Sequence, residues 1–172
     1  MEKKRIVMTR KASDNKYLHR DFHITLNILL DYLDVQFGKE AVVKYLSQYT
    51  RAYHQLLREQ LKAGNMAALS DYLTQIYQKE EWPVRTHTGE NFIELQQDAC
   101  PGMSHIKTSG NQPSRYYVET YRTVYETLCE GTPFQYALQW FDNETGACTQ
   151  VFRRKENNVD FLHSASSLNF KL

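Results

Sequence analysis

At Pro83 the spacing of apolar residues changes from steps of three and four to steps of about two, and this divides the chain into a helical half and a half containing strands. Upstream, Phe22, Leu26, Leu29, Leu33 and Phe37 gather one apolar stripe, so a first helix is expected from an N-cap at Ser13 or Asp14 to Phe37, stopped by Gly38. Val42, Leu46, Tyr49, Tyr53, Leu57 and Leu61 repeat the pattern in a second helix ended by Gly64 and Asn65. A third, Met66 to Lys79, should bury Leu69, Leu73, Ile76 and Tyr77. Downstream, Val84 precedes and Phe92 and Leu95 follow the turn residues His87 to Asn91, which predicts a β-hairpin. Gly102, Gly110 and Pro113 mark a loop-rich stretch, after which Tyr117, Tyr121, Val124 and Leu128 line up as a fourth helix closed by Gly131. Phe134 to Phe141 and Ala147 to Arg153 flank the loop Asp142 to Gly146 as a second hairpin. The expected fold is α+β: three N-terminal helices, then an antiparallel sheet of two hairpins with a fourth helix between them.

A chain of 172 residues should form one domain, burying roughly 70% of its unfolded surface. Residues 1–12 read as a frayed basic lead and residues 155–172 as a polar tail that drapes over the domain or swaps onto a partner. With 21 lysines and arginines against 20 acids, the chain lacks the basic excess that tracking nucleic-acid phosphates requires. The basic start is followed by polar residues and so does not read as a secretory signal, and the longest apolar run, Ile28 to Leu30, is far too short to span a bilayer. Cys100, Cys129 and Cys148 form an odd set without CxxC spacing, which fits reduced thiols in a cytoplasmic protein. Twelve tyrosines are many for a chain of this length, and rings with a polar tip suit a pocket or a subunit interface. The expected partners are a small molecule and a second copy in a homodimer.

Three groups of residues can carry chemistry. His19 and His23, four apart on one helix face, either hold a divalent metal such as zinc or manganese or form a partly exposed pair near a helix start. Cys100 precedes Pro101, a residue suited to the first turn of a helix, which would set the thiol at a helix N-terminus and lower its pKa, with His105 as its base. The other reading of Cys100 is a small buried hydrophobe ending a strand. Glu119 and Arg122, three apart beside Tyr117, form either a surface ion pair or a site for an amino-acid-like substrate bearing both charges. Arg153 is either a solvated strand end or a bidentate partner for a substrate carboxylate.

In order, these segments resemble the L-2-amino-thiazoline-4-carboxylic acid hydrolase family. The likeness rests on Tyr17-Leu18-His19-Arg20-Asp21-Phe22-His23, the Tyr-rich second helix, Cys100-Pro101 with His105, and Tyr136 to Arg154 around the loop Asp142 to Gly146. The helices-then-hairpin order is also similar to small-molecule-binding domains related to 4-vinyl reductases, although Tyr116 and Tyr117 stand where those domains carry a thiol. The family resemblance implies hydrolysis of a C–N bond in a small cyclic amidine. Either Cys100 or a water on a metal held by His19 and His23 would attack, Glu119 or His105 would move protons, and Arg122 or Arg153 would bind the carboxylate, with Tyr117 beside them. The competing expectation is a non-catalytic small-molecule-binding or dimerisation module of the same fold.

Overall fold

The computed structural model describes residues 20–155. The expected N-cap at Ser13 or Asp14, His19, the basic lead and nearly all of the polar tail lie outside them. The order of elements is α1 (Arg20–Phe37), α2 (Lys39–Tyr53), α3 (Gln55–Lys62), α4 (Met66–Lys79), β1 (Arg85–Gly89), β2 (Phe92–Gln97), α5 (Pro101–Thr108), α6 (Glu119–Cys129), β3 (Phe134–Phe141) and β4 (Cys148–Arg154). The class is α+β, as expected, and the four strands form one antiparallel sheet in the order β1-β2-β4-β3. Both expected hairpins form, but the first has a tighter turn than its Gly and Asn signals suggest: His87, Thr88 and Gly89 pair within β1, opposite Glu94, Ile93 and Phe92, and only Glu90 and Asn91 connect the strands. β2 pairs with β4 to join the two hairpins, Leu95 opposite Gln150.

Two helices are present that the apolar pattern did not separate. The expected second helix breaks at His54, the C-cap of α2, whose backbone N–H donates to the Thr50 carbonyl, and also the N-cap of α3. No glycine or proline marks the break. Instead the His54 ring is buried against Tyr49, Tyr53 and Tyr72, with ring centres 5.0–6.0 Å apart, so tertiary packing outweighs the local preference to continue the helix. The other addition, α5, begins at Pro101 with the Cys100 sulfur accepting from the Met103 amide at 3.4 Å. It occupies part of the stretch expected to be loop, Gly102 included.

The helices stand against one face of the sheet. Ile93, Leu95 and Phe152 point from the strands into a cluster with Leu61, Leu69 and Leu73 of α3 and α4 and Leu128 of α6. A second cluster joins Leu26 and Leu30 of α1 to Leu46, Cys100, Met103, Ile106 and Cys148. Within α1 the buried row is Leu26 and Leu30 rather than the expected ends of the stripe; Phe22 and Phe37 are exposed, Phe37 to 67%. Each fully buried leucine contributes on the order of 1.5–3 kcal/mol.

Two polar devices fix the loops that reach the site. The side-chain amide of Asn27, buried on α1, donates to the Gln112 carbonyl and accepts from the Ser114 amide at 2.7 Å, pinning the chain just before Tyr117. At the tip of the second hairpin, the Asp142 carboxylate accepts from the amides of Glu144 and Thr145, and the Thr145 carbonyl accepts from the Cys100 amide at 2.8 Å. Gly146 there has φ of 70°, and a Cβ on it would strike the Cys100 side chain. Among the described residues, no helix is long and apolar enough to cross a membrane.

Candidate functional site

A cavity of about 170 Å³ lies between α1, α2, α4, α6 and the start of α5. Comparable volumes, ~150 Å³, take up a benzene-sized ligand. Its walls are Tyr49, Tyr72, Tyr77, Tyr117, Tyr121 and Tyr125, with Phe22, His23, His54, Glu80 and Cys100 among the remaining lining residues. The helical period explains the convergence: α6 presents Thr120, Tyr121, Val124 and Tyr125 on one side, and α4 presents Tyr72, Ile76 and Tyr77.

The polar groups of the cavity form a line. The Tyr117 hydroxyl stands 3.9 Å from the Cys100 sulfur and 3.2 Å from His23 Nδ1. On its other side, His23 Nε2 lies 3.6 Å from the carboxylate of Glu80, which caps the end of α4. Gly102 makes this approach possible, because a Cβ there would collide with both the Tyr117 hydroxyl and His23. A second anchor is Gln97, buried on β2, which accepts from the Tyr77 hydroxyl at 3.1 Å and donates to the Tyr121 oxygen at 2.9 Å and to the Gly146 carbonyl. It fixes two of the tyrosine walls. The alternation Ile93, Leu95, Gln97 already turns this glutamine inward, and that was the available sequence signal for it.

Burial sets the protonation states. Desolvation pushes Tyr49 up to about 12 and Tyr121 and Tyr125 well above the ordinary phenol range, so the walls are neutral hydroxyls. The His54 imidazole is pushed down by the same cause. Cys100, 2% exposed, is the N-cap of a helix as the sequence implied, but the expected drop in its thiol pKa does not follow. Desolvation is the largest influence and raises it, outweighing the hydrogen-bonding contacts with Tyr121, Met103 and Tyr117 that lower it. The thiol is held protonated, which disfavours it as a nucleophile.

Of the residues singled out by sequence, the structure thus brings His23, Cys100 and Tyr117 together. His105 lies on α5 outside the cavity lining. Glu119 and Arg122 are on the opposite side of α6, where Glu119, 3% exposed, accepts from Arg122 at 3.0 Å and Thr123 at 2.7 Å and lies 3.6 Å from the Lys39 ammonium. Arg153 is exposed on β4, opposite Phe92 and Gln135. Among the described lining residues there is no lysine or arginine to receive a ligand carboxylate. Among the described residues, too, no group of three or more His, Cys, Asp or Glu side chains is placed to hold a metal ion.

Fold and site together define a class: an α+β domain with helices on one face of a four-stranded antiparallel sheet and a partly open, tyrosine-walled cavity. A scan of protein-family models finds none that matches the chain, and a search of curated proteins finds no match either.

Proposed function

We propose that the protein is a small-molecule-binding domain whose ligand occupies the tyrosine-walled cavity. The observation that carries this reading is the cavity itself: six tyrosines from α2, α4, α6 and the turn before it line one space, with His23, Glu80 and the Tyr117 hydroxyl among its polar groups. Such a wall suits a compact flat body with a neutral or cationic polar edge, because ring faces attract cations and Glu80 is the one acid among the described lining residues. The test is calorimetric titration with 2-aminothiazoline, its 4-carboxylate, and benzene-sized neutral heterocycles. Saturable binding of the uncharged or cationic members is expected, weaker binding of the carboxylate, and loss of both in Val124→Trp, which fills the space. If none of these ligands saturates the wild-type protein, the reading is wrong.

A second reading, C–N bond hydrolysis in a cyclic amidine, is favoured by one specific arrangement, the His23 imidazole held between Tyr117 and Glu80. In that reaction the oxygen of water bonds to the amidine carbon, the ring C–N bond breaks, and both water protons end on the departing nitrogen. His23 and Tyr117 would pass those protons, Glu80 would orient the imidazole, and Cys100 would be a wall rather than a nucleophile. The check is release of a primary amine from 2-aminothiazoline-4-carboxylate. Turnover that is lost in His23→Gln and kept in Cys100→Ser supports it, and no turnover above buffer leaves binding as the function.

A further inference from the structure

On the far side of α6 from the cavity, an open groove of about 480 Å³ runs between the start of α2, the 115–118 turn and β3. Lys39, Arg115 and Arg122 line it with Glu119, so cations outnumber acids. Glu119 does not make it a cation site. Its two oxygens are already engaged, one by Arg122 and Lys39 and the other by Thr123, and its buried carboxylate instead fixes two cations from different helices over one floor. Arg115 is engaged at the rim, bonded through two nitrogens to Asp34 and lying 4.9 Å over the Tyr116 ring.

Arg122 and Lys39 remain half-exposed. Arg122 meets Glu119 through Nη1, and a guanidinium carries five donors in a planar fork, so its other edge is available for a two-point grip on a carboxylate. Glu126, one turn further along α6, also feels the Arg122 charge and offsets part of the local positive field. Across the groove, β3 carries a register shift between Leu138 and Trp140, and the Trp140 ring stands 54% exposed along the groove wall. Bulges of this kind re-aim side chains beside functional sites.

We propose that this groove is a second binding site, for a small flat organic anion whose carboxylate is held by Arg122 and Lys39 and whose planar body lies against Trp140. The site is independent of what the cavity holds. Because the chain has two tryptophans, Trp82→Phe leaves Trp140 as the sole indole emitter, and its fluorescence can be titrated with benzoate and with neutral benzamide. A saturable change with benzoate but not benzamide is expected, reversed by added salt and weakened about tenfold in Lys39→Gln, the loss of one charge-assisted bond. Arg122→Gln should weaken it at least as much, and Lys39→Gln serves where that variant unfolds, since Lys39 reaches the groove from its solvent side. The proposal is overturned if benzoate gives no saturable change, if benzamide acts equally, or if folded Lys39→Gln binds benzoate as the parent does.

Discussion

The two sides of α6 differ in how they treat charge. Toward the cavity, Tyr121 and Tyr125 are enclosed with Cys100, and desolvation pushes all three toward their neutral forms. Toward the groove, Glu119 and Arg122 stay paired in a setting that water enters. Glu119 is buried no less than the tyrosines, so depth alone does not decide the outcome. A buried carboxylate is accommodated where opposite charges and hydrogen bonds replace its lost hydration, as Arg122, Lys39 and Thr123 do for Glu119. The same eleven-residue helix serves both settings, because residues three or four apart share a side: Thr120, Tyr121, Val124 and Tyr125 turn to the cavity, and Glu119 and Arg122 to the groove.

The largest expected effect tests the cavity side. Alkylation of Cys100 by iodoacetamide should be about a hundredfold or more slower in the native protein than in the urea-unfolded chain, since its sulfur is buried and desolvation raises the thiol pKa, leaving little of the reactive thiolate. Equal rates, read by peptide mass spectrometry, would mean that the fold does not protect this thiol. Next in size, Glu119→Ala should lower stability by about 2–3 kcal/mol in urea unfolding, since it removes bonds to charged partners and leaves Thr123 unsatisfied. A loss under ~0.5 kcal/mol would show that the groove cations need no anchor. The smallest effect concerns His54, whose imidazole burial pushes below 6.5. Between 6.5 and the lower folded value the unfolded chain binds a proton that the folded protein resists, so stability should fall as pH drops through that window. His54→Asn should flatten the slope in urea midpoints measured from neutral to mildly acid pH; an unchanged slope would show that His54 titrates as freely folded as unfolded.

Much of the fold was legible because it rests on local rules. The bounds of α4 follow from Asn65, whose side chain accepts from the Ala68 amide, and from the apolar row Leu69, Leu73 and Ile76. The tip of the second hairpin follows from Asp142 and the positive φ of Gly146. The break at His54 was not legible, since its cause is a contact with Tyr72, which lies on another helix. The site was legible only in fragments. Cys100, Tyr117 and His23 belong to separate sequence motifs, and their meeting depends on Gly102 and on Asn27 holding the loop before Tyr117, both set by tertiary packing. The grouping of Glu119 and Arg122 with Tyr117 could have been refined from sequence, because the helical period already sends Thr120, Tyr121, Val124 and Tyr125 to the side opposite Glu119 and Arg122.

The doubled use of α6 has an evolutionary consequence. Each residue of a helix advances it by about 100°, so inserting or deleting one position ahead of Thr120 would rotate ring-bearing positions toward solvent and drive a guanidinium into the interior. Point substitutions can retune either side separately, but length changes strike both in one event. Lineages descending from this chain should therefore keep the length of α6 constant while its two sets of side chains drift at independent rates.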